Sequence, residues 1–241
     1  MSRVERPSPV GLIELLRTGE VEVLGLLPYA SNYTFLASVG EDDRAVYKPT
    51  RGERPLWDFP PGTLAAREAA AYLVDVAGGF GIVPPTVMRG DLPLGPGSLQ
   101  AFIEHDPELH FFTLSEARLA DFEIFVAFDV VTNNADRKAG HVLQDANGKL
   151  WSVDHGLTFN VDDKLRTVIW EFADQPISED VASRLERLID AFDEDPNFKE
   201  QLGALLSETE IATTAARAKV LLRAGRYPQP GGLRPYPWPL V

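Results

Sequence analysis

Cysteine is missing from all 241 residues. Its absence excludes disulfides, thiolate metal sites and cysteine nucleophiles, and it suits a reducing compartment, which predicts the cytoplasm. Basic residues are scarce: 23 Lys and Arg stand against 36 Asp and Glu, a net charge of −13. Such a surface repels nucleic acid and anionic lipid headgroups. No cluster of Lys and Arg and no amphipathic anchor offsets it, so neither nucleic-acid binding nor stable membrane association is expected. Long apolar runs are lacking as well. The longest, Phe122 to Val131, is interrupted by Glu123 and Asp129 and reads as a buried helix rather than a membrane span. Met1 to Pro9 is polar and charged, which predicts no signal peptide. The phosphate-binding G-x-x-x-x-G-K-[ST] loop, the G-x-G-x-x-G fingerprint and the G-x-S-x-G elbow do not occur, so P-loop NTPases, dinucleotide enzymes and α/β-hydrolases have no support.

What is present is an ordinary globular balance, 44% hydrophobic and 24% charged, long enough for two lobes or one large domain. Residues 8–18 read as a short amphipathic helix that Ser8 can cap. Strand-like runs follow at Val21 to Leu27, Tyr33 to Val39 and Arg44 to Lys48, joined by polar turns into an antiparallel meander. After a Pro-rich loop, Thr63 caps a strongly helical run that Gly78-Gly79 closes, with Ala65, Ala69, Tyr72, Leu73 and Val76 as its buried stripe. Ile82 to Val87 and Ser98 to Phe102 read as two further strands. Beyond them the character is helical: from Ser115 to about Thr132, then 179–191, 197–206 and 208–224, the last with a Ser207/Glu210 capping box. Residues 226–241 are rich in Pro and aromatics, and Trp238 and Leu240 favour their docking. Strands followed by helices indicate an α+β chain, with 1–103 as a sheet region, 104–225 as a helical region and 226–241 as a tail.

Within the helical region one stretch stands out, NNADRKAGHVLQDANGKLWSVDHG, Asn133 to Gly156. Asn147-Gly148 is the preferred pair for a two-residue type I′ hairpin turn. With that turn, Leu143 opposes Ser152, Val142 opposes Val153 and His141 opposes Asp154. Asp136, His141 and Asp154 then meet at the mouth of the hairpin. Two carboxylates so placed can serve as catalytic base and metal ligand in phosphoryl transfer; a solvated hairpin flanked by charges is the plainer alternative. Upstream, Lys48 ends a strand and Glu68 lies in the helix that follows, the pairing that positions the α- and β-phosphates of ATP.

The segments AVYKPT, REAAAYLVD, VPPTV, SLQAFIE, NNADRKAGHVL and WSVDHGLTF, in that order from about Val21 to Phe159, resemble the phosphatidylinositol 3- and 4-kinase-like family, in particular its small bacterial members. The resemblance implies a two-lobed, protein-kinase-like α+β fold, with an antiparallel-sheet N-lobe and a mostly helical C-lobe, and ATP held between the lobes. It implies that Ser31 and Asn32 cover the phosphates and that Lys48, held by Glu68, contacts them. Gln100 to Glu104, Phe102 among them, would form the adenine hinge. Asp136 would accept or orient the substrate hydroxyl proton, and Asp154 would hold Mg²⁺ or Mn²⁺.

Two positions depart from the family pattern. His141 stands where the family carries a second metal-binding asparagine; it either ligates metal, with Mn²⁺ favoured over the oxygen-seeking Mg²⁺, or hydrogen-bonds Asp154 with no metal involved. The turn PYASNY lacks glycine. Lys138 either neutralises a transferring phosphoryl group or is a solvated charge. Arg137 is expected to brace the loop and His155 to pack under the hairpin. His105 and His110, beside Asp106 and Glu108, read as a surface cluster. The acceptor would be a hydroxyl of a protein or small molecule, since the charge disfavours a lipid surface. A nucleotide-binding pseudokinase and an AMP transferase are the alternatives.

Overall fold

The computed structural model describes residues 9–28, 33–232 and 234–241. Ser8, Ser31 and Asn32 lie outside the described residues, and with them the expected helix cap and phosphate-covering turn. The chain divides into two compact units. One takes the chain up to Ala69 together with Pro84–Phe102, and the other takes Ala70–Val83 and Ile103–Val241.

The first unit is a five-stranded antiparallel sheet. Its strands are β1 (Val21–Leu26), β2 (Phe35–Val39), β3 (Asp43–Pro49), β4 (Thr86–Arg89) and β5 (Gly97–Ala101), in the spatial order β1-β2-β3-β5-β4. Alternation sorts the side chains of β3. Ala45, Tyr47 and Pro49 are buried, while Val46 and Lys48 take the opposite face. Helix α1 (Pro9–Thr18) lies against β4 and β5 and contributes Leu16 to a core of Ala37, Val39, Ala45, Tyr47 and Leu99. The fourth strand is shorter than expected and begins later. Pro84-Pro85 supplies no backbone donors there. The residues before it are held instead by Asp75, whose carboxylate accepts from the N–H groups of Gly81, Ile82 and Val83 at 3.2, 2.9 and 3.1 Å.

Helix α2 (Leu64–Gly78) starts in the first unit and ends in the second. Its first turn is satisfied by Glu53 Oε1, which accepts from Ala65 N at 2.9 Å. The hydroxyl of Thr63 is turned to Pro60 O at 2.7 Å, so Thr63 does not supply the expected side-chain cap. The buried stripe also differs. Ala70, Ala71 and Val74 are fully buried, while Val76 is exposed.

The second unit carries α3 (Phe111–Arg118), α4 (Glu123–Thr132), a two-stranded hairpin of β6 (Val142–Gln144) and β7 (Leu150–Ser152), then α5 (Glu179–Glu194), α6 (Pro196–Gly203) and α7 (Glu208–Ala224). Its core gathers Phe125, Phe128, Val131, Ile169, Leu185, Leu188, Leu202 and Leu221. The helix expected from Ser115 begins at Phe111 and is divided by a 3₁₀ turn at Leu119–Phe122, across which Phe111 and Phe122 pack edge-on with centroids 5.0 Å apart. The Ser207/Glu210 box is formed, with Glu210 N donating to Ser207 Oγ and Ser207 N to Glu210 Oε2 at 2.9 Å. The last segment docks through the buried Tyr227 and through its backbone. Thr167 N and Trp170 Nε1 donate to Pro235 O, and Ala139 N donates to Leu240 O at 2.8 Å. Trp238 is 87% exposed and takes no part. Among the described residues no helix is long and apolar enough to cross a membrane.

The hairpin register is one residue away from the expected one. Val142 opposes Ser152, Leu143 opposes Trp151 and Gln144 opposes Leu150. The turn is longer: Gly148 N donates to Asp145 O at 2.9 Å, and Asp145 N donates to Lys149 O at 3.0 Å. Only Gly148, at φ +81, takes the left-handed conformation, and Asn147 does not. This is a three-residue connection, a type I turn closed by a left-handed glycine. Asp145 selects it, since its Oδ1 accepts from both Asn147 N and Lys149 N at 2.8 and 3.1 Å.

Candidate active site

Each unit carries its own cluster of polar side chains. In the sheet unit, Lys48 Nζ donates to Glu68 Oε1, with the lysine side chain 21% exposed and the glutamate 3%. The alternation of β3 puts Lys48 on the face opposite Ala45 and Tyr47, and α2 brings Glu68 to it. Gly97 keeps the neighbouring strand close: a Cβ there would lie 2.8 Å from Pro49 Cα and would also collide with the Lys48 carbonyl. Gln100, expected in a hinge, is buried in β5, and its amide donates to Thr86 Oγ1 at 2.8 Å. That side chain serves the sheet. Phe102 N is likewise engaged, with Arg44 O at 3.0 Å.

In the helical unit the loop after α4 is built around a buried ion pair. Helix α4 stops at Asn133, which adopts a left-handed φ of +53. Its Nδ2 donates to Asn160 O at 2.9 Å and its Oδ1 accepts from Lys164 N at 2.9 Å. Asn134 Nδ2 donates to Asp129 Oδ1 at 2.9 Å, and its own Oδ1 accepts from Asp136 N at 3.0 Å. Arg137 is fully buried; its Nε and Nη2 fork onto the Asp129 carboxylate at 2.9 Å, and its Nη1 donates to Val153 O at 3.0 Å. A buried charge survives only when paired and fully hydrogen-bonded, and here one guanidinium ties α4, the loop and the hairpin exit together. His155 lies beneath, edge-on to Phe128, with Nε2 3.1 Å from Arg137 Nη2 and 2.9 Å from Ser152 Oγ. Arginine only donates, so that ring nitrogen is the acceptor.

On this support stand Asp136, Lys138, His141 and Asp154. Lys138 Nζ is 2.9 Å from Asp136 Oδ2, and the lysine side chain is only 12% exposed. Burial pushes the Asp136 carboxyl above its usual range; the Lys138 ammonium opposes that rise and the Asp154 charge adds to it. His141 Nε2 is 3.3 Å from Asp154 Oδ2. The expected meeting of His141 and Asp154 thus occurs in a register that pairs His141 with Val153, whose N–H donates to His141 O at 3.0 Å. Asp154 turns back at φ +62, a conformation aspartate tolerates. His141 Nδ1 accepts from Lys138 N at 3.4 Å. With the ring proton on Nε2, His141 donates to Asp154, the hydrogen-bonded alternative of the two.

Among the described residues no three His, Asp or Glu side chains converge in the way a protein-only metal cage needs. Asp154, half-exposed, fits a hard cation that draws its remaining ligands from substrate phosphates and water, as Mg²⁺ does. His105, Asp106 and Glu108 are exposed. Sequence reasoning missed Asp129 as the anchor of the loop and Asp75 as the acceptor for Gly81 to Val83. The signal for both was a single carboxylate inside an apolar helical run, since a charge buried there requires donors.

No family model matches the chain. Among solved structures, a Golgi casein kinase with Mn/ADP bound superposes with a TM-score of 0.56 at 13% identity, covering 89% of this chain and 74% of that one. Hydra Fam20 with sugar gives 0.56 at 15% identity, covering 90% and 87%. The fold is therefore protein-kinase-like, as the resemblance implied. Phosphatidylinositol 4-kinase gamma 4 of Oryza sativa subsp. japonica is 29% identical over 174 residues, 55% of this chain but 31% of the rice protein. Protein Rv2133c of Mycobacterium tuberculosis is 38% identical over 263 aligned positions, which cover 93% of this chain and 94% of the relative. With that identity over nearly the full length of both, the chain belongs to the family of Protein Rv2133c.

Proposed function

We propose that the chain is a metal- and ATP-dependent phosphotransferase of the phosphatidylinositol 3- and 4-kinase-like type, acting on a hydroxyl of a protein or small molecule. The observation that carries this reading is the gathering of Asp136, Lys138, His141 and Asp154 on one loop and hairpin exit, held from below by the buried Arg137–Asp129 pair. Lys48, oriented by Glu68, would contact the α- and β-phosphates. Asp136, with its carboxyl raised by burial, would accept or orient the hydroxyl proton. Lys138 would balance charge on the transferring group. Asp154, oriented by His141, would hold Mg²⁺ or Mn²⁺, which would neutralise phosphate charge. A net charge of −13 and the lack of cysteine support a cytoplasmic protein that binds neither nucleic acid nor a bilayer stably.

The test is transfer of the γ-phosphoryl group from labelled ATP, with Mg²⁺ or Mn²⁺, to a panel of proteins and alcohols, scored by intact mass. Asp136→Asn is expected to lower turnover about 10²–10⁴-fold, the usual contribution of a positioned base. Unchanged turnover in that variant would remove the assignment, and addition of AMP would show a transferase with ATP reversed. One observation favours a second reading: His141 is set to donate to Asp154 where a second metal ligand would stand. Binding of ATP without turnover would establish that pseudokinase reading.

A further inference from the structure

The helical unit has a cavity of about 810 Å³ whose charge runs opposite to that of the chain. Lys164, Arg166, Arg217, Arg226 and Arg234 line it, against one acidic lining residue, Asp163. A protein of net charge −13 has few cations to spare, and five of its 23 are gathered here. Arg226 is committed to Asp174, at 2.7 Å. Arg217 is only partly satisfied. Its Nη2 donates to Asn160 O and Val161 O at 2.7 and 3.1 Å, while its Nη1 is buried with no hydrogen-bond acceptor among the described residues. Burial lowers the affinity of that guanidinium for its proton, and the Asp163 charge opposes this only in part. Five cations against one acid in the lining offer an anion in the cavity charge-assisted hydrogen bonds.

The remaining walls are apolar. Trp170 is pinned by its Nε1, which donates to Pro235 O at 3.1 Å. The hydroxyl of Tyr227 is turned away to Glu123 Oε1 at 3.1 Å, which leaves its ring for the cavity wall. Val130 and Leu221 complete this side. The volume lies within the range of small-molecule sites, which combine an apolar lining with a few convergent polar groups.

We infer that this cavity binds a small organic phosphate, its phosphoryl group on Arg217 and Arg234 and its ring or chain against Trp170 and Tyr227. The cavity is chemically distinct from the Asp136–Asp154 cluster, and the inference does not depend on the proposed activity. The phosphate could belong to a free metabolite or to a lipid headgroup.

The test uses the full chain without nucleotide or divalent metal, so that its outcome is independent of any kinase activity. 1-Naphthyl phosphate is titrated at low salt by calorimetry, with 1-naphthol and inorganic phosphate as controls. Sedimentation with phosphatidylcholine vesicles containing phosphatidic acid forms a second arm. The expected result is binding of 1-naphthyl phosphate, tighter than inorganic phosphate and absent for 1-naphthol. It should weaken at least about tenfold in Arg217→Gln, the loss of one charge-assisted contact. Arg234→Gln, on an exposed residue whose loss leaves the fold intact, should weaken it about threefold. Binding of the soluble probe alone assigns a free phosphate. Binding of the vesicles as well, with the same loss in both variants, assigns the headgroup. No binding in either arm, equal binding of 1-naphthol, or affinity unchanged in both variants would overturn the inference.

Discussion

The two units each hold an ion pair, and the pairs differ in one respect. Lys48–Glu68 is open on the lysine side, where 21% of the side chain meets solvent. Arg137–Asp129 is closed, with exposures of 0% and 1%. A closed pair whose every donor is engaged has nothing left to offer a ligand; its work is to fix a loop. An open pair with a buried acid fixes a cation whose side chain still meets solvent. In the sequence each is only a base and an acid, 20 and 8 residues apart. What separates them is which partner is dry.

The largest effect should come from breaking the closed pair. Arg137→Met strands Asp129 in the core and is expected to cost about 3–5 kcal/mol, measured by urea unfolding. Lys48→Met should cost about 1–2 kcal/mol, because the lysine end is wet, while weakening ATP binding at least about tenfold. Equal stability losses would erase the distinction between the pairs.

Asp75 sharpens the comparison, since its carboxyl is buried and, among the described residues, forms no ion pair, with Lys149 acting on it only through its charge. Burial pushes its carboxyl up to about 6 from 3.8, against the pull of the N–H groups of Ile82, Val83 and Gly81. The folded state therefore binds this proton more tightly than the unfolded chain. Its contribution is fully present below about pH 4 and is lost as pH rises through about 6, by about 3 kcal/mol. The stability of wild type relative to Asp75→Asn, followed by urea unfolding across that window, should fall by this amount as pH rises. A difference that grows with pH would show the carboxylate to be held ionised.

Gly97→Ala should cost about 1–3 kcal/mol through overpacking against Pro49, and should disturb Lys48 as a side effect. Lys138→Gln removes a cation that holds the Asp136 carboxyl down, so the acid limb of turnover should move to higher pH. A limb that stays in place would separate Asp136 from the chemistry. The smallest effect belongs to Trp238→Ala, within about 0.5 kcal/mol, because the indole is exposed.

Much of the frame was legible in the sequence. Alternation and turn residues placed the strands of the meander, and the polar set of the loop could be named. What escaped was decided by side chains acting on backbone. Asp145 converted an Asn-Gly pair into a longer turn and moved the register by one residue. Asp75 and the two prolines displaced the start of β4. The bond from the Gln100 amide to Thr86 on the adjacent strand was not legible either. Trp238 suggested docking by burial, but it is Tyr227 that is buried, and the carbonyls of Pro235 and Leu240 complete the docking. The contact of His141 with Asp154 was anticipated from the wrong pairing. It arises because Asp154 turns at positive φ after the ladder has ended. Local pattern specifies the elements, and single buried or backbone-capping polar groups set their offsets.

The most direct test of the account is calorimetric titration of ATP, with and without Mg²⁺ or Mn²⁺, into wild type, Lys48→Ala and Asp154→Ala. The account predicts metal-dependent binding that weakens at least about tenfold in each variant, the loss of about 1.4 kcal/mol or more. No binding by the wild type, or binding that both variants retain undiminished, would contradict it.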